Sequence, residues 1–143
     1  RSHLPSFVSS SRTFTQATPQ PLGKPNPFGP AHGKRKAALY ATCLVNYNLP
    51  SIGEAARQVL LQQGVEVSVA YPGCCGMPQL ESGDIASVAA AAIRVSRELQ
   101  QVIDSGRTVV ALTPSCALML KLEWPLLLPD NPDVKRLAAH TMD

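Results

Sequence analysis

The 143-residue chain is 45% apolar and 16% charged, which suits one globular domain and is too small for two. With 9 Gly, 13 Pro and 4 Cys it is neither collagen-like nor a disulfide-stapled scaffold. No apolar run reaches the ~18 residues that a membrane helix needs. The net charge of +3 is unevenly spread, because residues 1–36 hold six basic groups and no acid while 37–143 carry a small acidic excess.

The first 36 residues also contain six of the thirteen prolines and much of the Ser and Thr. Such a stretch buries too little apolar surface to offset chain entropy, so it reads as an extended, basic, Pro-rich linker or arm. A transit peptide is the weaker reading, since the prolines break any amphipathic helix. A nucleic-acid arm built on Lys34, Arg35 and Lys36 also falls behind, because the domain that follows is acidic and has no groove-reading motif. No nucleic-acid partner is expected. The chain starts at Arg1 and stops at Asp143 in what reads as a helical pattern, so residues 37–143 are expected to be part of a longer protein.

Residues 37–42 form a short apolar run expected to be a buried strand. Ser51 and Glu54 have the spacing of a capping box, opening a helix whose apolar face would be Ile52, Ala55, Ala56, Val59 and Leu60. Gly64 supplies the left-handed residue that ends it. Residues 65–71 alternate and are rich in Val, giving a second strand. A loop with Gly73, Gly76, Pro78 and Gly83 follows, then a long helix capped by Asp84. Its apolar residues are Ile85, Val88, Ala89, Ala92, Val95, Leu99, Val102 and Ile103, and it runs to Gly106. Residues 108–113 read as a third strand. A short helix over 117–123, stopped by Pro125, and a last helix opened by Asn131 and Pro132 complete the chain. The order β-α-β-α-β-α predicts an α/β fold with a three-stranded parallel sheet, half of a doubly wound fold, behind an extended N-terminal arm. Right-handed crossovers put the first strand between the other two.

Cys43 follows the first strand, Cys74 and Cys75 the second, and Cys116 the third. In a parallel sheet the carboxyl ends of all strands share one edge, the edge where open α/β sheets bind ligands. The four thiols are therefore expected to meet there. Helix starts near Cys43 and Cys116 favour thiolate, the form that binds metal or attacks disulfides. Gly73 and Gly76 bracket the vicinal pair, where the backbone is expected to need unusual dihedrals. Convergent thiolates suit an iron–sulfur cluster or a tetrahedral zinc, and spacing alone does not separate these. A structural disulfide is disfavoured, because adjacent cysteines bridge only with strain and no secretory signal is present. Inert buried thiols are the plain alternative.

Other polar residues carry weaker signals. His3 and His32 lie in the arm, and His140 on the terminal helix reads as a surface residue. Asn46, Tyr47 and Asn48 are close enough to Cys43 to line a site, yet also fit ordinary turn chemistry. Met77 and Met119 would pack over a metal centre or simply fill the core. Trp124 and the three leucines after Pro125 read as core or as an interface. No Ser-His-Asp set, phosphate loop or HExxH motif is present.

The series Cys43, then Cys74-Cys75-Gly76-Met77-Pro78, then Pro114-Ser115-Cys116, resembles the cysteine-rich CCG domain of iron–sulfur oxidoreductases. That group includes the heterodisulfide reductase B subunit, the glycolate oxidase iron–sulfur subunit and the anaerobic glycerol-3-phosphate dehydrogenase C subunit. The resemblance implies an electron-transfer domain in which Cys43, Cys74, Cys75 and Cys116 hold a [4Fe-4S] cluster. Implied partners are a flavoprotein dehydrogenase subunit, a second CCG domain and a ferredoxin-type domain, with membrane quinone or thiols as acceptors. A cytoplasmic place, at the periphery of the inner membrane, goes with this, and the fragment alone is not expected to be catalytic. The fullest family pattern ends CxxC, whereas here Met119 stands at the last position. That departure keeps open a four-thiolate cluster, a zinc site, or a zinc-binding or metal-free structural module. Thiol–disulfide chemistry at Cys74 and Cys75 is a third reading.

Overall fold

The structure is a computed structural model that describes residues 35–143; His3, His32 and nearly all of the expected arm lie outside this range. Strand β1 (Lys36–Tyr40) is buried along all but its first residue. An apolar run covered on both faces belongs at the centre of a parallel sheet, and β1 lies between β2 (Glu66–Ala70) and β3 (Thr108–Ala111). Leu39 pairs with Val69 on one side and with Val110 on the other.

The sheet has four parallel strands in the order β2-β1-β3-β4, not the three expected. The addition is β4 (Thr141–Met142), with Thr141 opposite Val109 and Met142 opposite Val110. The terminal helix therefore ends before Asp143, and the chain turns into the sheet. Two residues carry no readable alternation, so the pattern gives no warning of this strand. Thr141 is buried, and its hydroxyl donates to the Leu137 carbonyl.

Successive residues of the central strands divide the core. Tyr40, Val109 and Ala111 join Val88, Ala92, Val95, Leu99, Trp124, Val134 and Leu137 on one face. Leu39 and Ala41 join Val45, Val67, Val69 and Val110 on the other. The first face is covered by α3 (Ile85–Asp104), α4 (Pro114–Leu118), α5 (Trp124–Leu127) and α6 (Pro132–Ala139), and the second by α1 (Pro50–Gln62). The expected caps hold for α3, where Asp84 accepts from the Ser87 N–H, and for α6, where Asn131 accepts from two N–H groups.

Three local expectations fail. Helix α1 starts at Pro50 after Leu49, with no side-chain cap, and Glu54 binds Arg57 and Gln58 instead of reaching back to Ser51. Its buried positions are Gly53 and Arg57, while Ile52 and Val59 are exposed. Ala56 and Leu60 of the expected face do pack against the core, beside Gly53, which can sit inward without a side chain to accommodate. Pro125 does not stop a helix: a π-helical turn (Met119–Glu123) precedes it, and Pro125 falls in the first turn of α5, where no N–H is required. The loop after β2 also contains a short helix, α2 (Met77–Glu81).

Candidate metal centre

β1, β2 and β3 end at Tyr40, Ala70 and Ala111, and the cysteines follow within a few residues of each end. Cys43 is exposed and leads into a π-helical turn (Leu44–Asn48); Cys74 is half-buried; Cys75 and Cys116 are buried. The Cys75 and Cys116 sulfurs are 3.2 Å apart across 41 residues of sequence. Cys43 interacts with Cys74 and feels the charge of Cys116, so all four thiols belong to one locality. They form two pairs, one facing solvent and one in the core. Among the described residues, no three or more His, Cys, Asp or Glu side chains form a ready metal-holding group.

The loop that carries the vicinal pair is pinned from several directions. Trp124 is fully buried, and its indole N–H donates to the Cys75 carbonyl at 3.0 Å. The Tyr40 hydroxyl donates to the Gly73 carbonyl. Gly76 is left-handed, with φ +83°, and its N–H donates to the Cys74 sulfur at 3.5 Å. Gly73 has no positive φ; its missing side chain instead leaves room for Arg94, whose guanidinium would lie 2.8 Å from a Cβ there. Cys116 occupies the first turn of α4, as the sequence suggests.

Electrostatics divide the buried pair into a donor and an acceptor. The hydrogen bond from Cys75, with help from the Thr113 and Ser115 hydroxyls, holds the Cys116 thiol down to about 6. Donating that bond, together with burial, pushes Cys75 up, although the Met77 N–H opposes the shift. Burial and the neighbouring Cys74 likewise raise Cys43. Tyr40 and Tyr71 are both raised, first by burial and then by nearby thiolates. The Thr113 oxygen is buried, with no nitrogen or oxygen partner, and the group it acts on is the Cys116 sulfur.

The donor set is all sulfur, some of it already biased to thiolate, and chemically it fits a thiophilic ion or cluster. The four cysteines named from sequence thus share one sheet edge. His140 does not join them: it caps α6, with a ring nitrogen 2.9 Å from the Arg136 carbonyl oxygen. Tyr47 is exposed and stacks edge-on with Tyr71, Asn46 is buried, and Asn48 is exposed. Met119 is fully buried in the core, and Met77 packs partly buried against it. Sequence reasoning misses Tyr40, Arg94 and Thr113. Tyr40, at the end of β1, and Thr113, just before α4, sit three residues before Cys43 and Cys116, a repeated offset that is the one available signal.

Comparison with known proteins bears on this site. The family model described as "CCG: Cysteine-rich domain" matches residues 37–121. Lactate utilization protein A of Bacillus pumilus is 33% identical over 100 residues, covering 68% of this chain and 39% of that protein. The protein of the same name from Geobacillus thermodenitrificans is 31% identical, with 76% of this chain and 45% of the relative covered. The C subunit of anaerobic glycerol-3-phosphate dehydrogenase from Escherichia coli is 30% identical over 112 residues, covering 77% of this chain and 28% of that protein. The chain thus spans less than half the length of these curated relatives. No solved structure matches.

Proposed function

The chain belongs to the CCG cysteine-rich domain family, and from that premise we propose that it is an iron–sulfur electron-transfer domain of a larger oxidoreductase. The observation that carries this reading is the gathering of Cys43, Cys74, Cys75 and Cys116 from three strand ends at one sheet edge, with two sulfurs 3.2 Å apart. These four cysteines would hold the group. A bound [4Fe-4S] cluster would supply a one-electron store whose potential depends on hydrogen bonds to sulfur and on solvent exposure.

The chain's own residues prepare the place. N–H groups of Gly76 and Met77 point at the Cys74 and Cys75 sulfurs and stabilise negative charge there. Trp124 and Tyr40 hold the backbone of the loop on either side of the vicinal pair. Exposed Cys43, with Leu44 and Tyr47 beside it, opens the site to solvent on one side, where electrons would pass to a partner. One relative is named as a subunit of a dehydrogenase, which supports an assembly with partner subunits. The assembly proposed here has a flavoprotein subunit as donor, with a second CCG domain, a ferredoxin-type domain and quinone or a thiol as further carriers. Among the described residues no helix is long and apolar enough to cross a membrane, and a cytoplasmic place at the inner membrane's periphery is part of the proposal.

Met119 favours a second reading. It is fully buried where the fullest family pattern has its final cysteine, which leaves a four-sulfur set that zinc would also accept. In that case the domain is a structural module of the same kind of assembly. Anaerobic reconstitution with iron and sulfide separates the two. Bound iron, acid-labile sulfide and visible absorption support the cluster; stoichiometric zinc that resists iron loading supports the module.

A further inference from the structure

We propose that, when no metal is bound, Cys75 and Cys116 close a disulfide, withdrawing both sulfurs from ligand duty. Their sulfurs stand 3.2 Å apart, about 1 Å beyond the ~2.05 Å of a disulfide bond. The neighbouring backbone is already fixed by Trp124 at Cys75 and by the first turn of α4 at Cys116. A bridge across 41 residues also restricts the unfolded chain. The competing Cys74–Cys75 bridge would require a strained vicinal geometry. The geometry therefore selects a partner for Cys75 that the motif alone does not reveal.

Hydrogen peroxide is the oxidant, small enough to enter past exposed Cys43 and half-buried Cys74. One thiolate attacks a peroxide oxygen, the O–O bond breaks, and sulfenic acid and hydroxide form. The second sulfur then attacks the sulfenic sulfur, the S–O bond breaks and water leaves. Two thiols and one peroxide give one disulfide and two waters, and two electrons pass from sulfur to oxygen. The bond is independent of any metal; its effect on loading rests on the proposed cluster-binding role.

The test uses the full chain, reduced and stripped of metal, then treated with one equivalent of hydrogen peroxide. Remaining thiols are alkylated after denaturation, and peptides are mapped with fragmentation between Cys74 and Cys75. Free thiols should fall from four to two, with Cys75 joined to Cys116. Cys43→Ser should keep that bridge, whereas Cys75→Ser and Cys116→Ser should each abolish it. Four surviving thiols, or a bridge joining Cys43 to Cys74 or Cys74 to Cys75, would overturn the proposal. Bridged chain should then take up about tenfold less iron than reduced chain under anaerobic loading, since two of four cluster sulfurs are tied up. Equal iron uptake by both forms overturns the regulatory effect. A mapped bridge with no iron uptake by either form overturns the cluster reading and leaves the disulfide standing.

Discussion

Trp124 donates its indole N–H to the carbonyl oxygen of Cys75, at 3.0 Å, across 49 residues of chain. This bond ties α5 to the loop that presents the vicinal thiols. Trp124→Phe should leave that carbonyl unpaired and open a small cavity, costing about 2–4 kcal/mol. Urea unfolding followed by circular dichroism checks this; a midpoint equal to wild type would show that the bond does not matter.

Tyr40→Phe removes the other tie, at the Gly73 carbonyl, with little change in volume. A loss of about 1–2 kcal/mol is expected. The same substitution should speed amide exchange across residues 72–76 more than in β1 itself, because the hydrogen bond acts on the loop. Uniform acceleration throughout the sheet would contradict that assignment.

The thiol pair should give the metal-free, reduced chain a distinct pH response. Cys116 is held down to about 6, below the ~8.5 of an unfolded thiol, so its contribution to stability is full above ~8.5 and lost as pH falls through about 6. Cys75 is raised, so its contribution is full below ~8.5 and declines at higher pH as the unfolded chain ionises first. Stability relative to Cys116→Ala should therefore rise between pH 6 and about 8.5. Thiolate ultraviolet absorbance should show one early step near pH 6, and Thr113→Val should move it upward. A single step near ~8.5 for every thiol would refute the donor–acceptor division.

How far these features can be read from residue order depends on the kind of signal. The meeting of Cys43, Cys74, Cys75 and Cys116 at one edge follows from three apolar strands and parallel topology, both of which are strong patterns. The Asp84 cap and the buried stripe of Val88, Ala92, Val95 and Leu99 follow from helical spacing. Strand β4 is too short for periodicity, and its place depends on Val109 accepting Thr141 as a neighbour. Within the apolar face expected for α1, Ala56 and Leu60 do pack inward, whereas Ile52 and Val59 mislead because they lie off the side that Gly53 and Arg57 bury. Pro125 misleads because a π-helical turn before it removes the need for its N–H. The pairing of Cys75 with Cys116, rather than with Cys74, depends on side-chain directions that no spacing rule supplies.

The two glycines beside the thiols should respond differently to alanine. Gly76→Ala forces a side chain into left-handed backbone, at a cost of about 1–2 kcal/mol. Gly73→Ala meets the end of the Arg94 side chain, which can swing aside, and makes ordinary contact with Val95 Cγ2 at 3.4 Å, so a loss of under about 1 kcal/mol is expected. Paired urea midpoints decide the matter, and the reverse order would contradict the roles assigned to the two positions.

Iron X-ray absorption on the anaerobically loaded full chain tests the central claim most directly. A first shell made only of sulfur, lost when Cys75 and Cys116 are both replaced by Ser, is the predicted result. Iron ligated by oxygen or nitrogen, or a sulfur shell that survives the double replacement, would contradict the assignment of this edge as a cluster site.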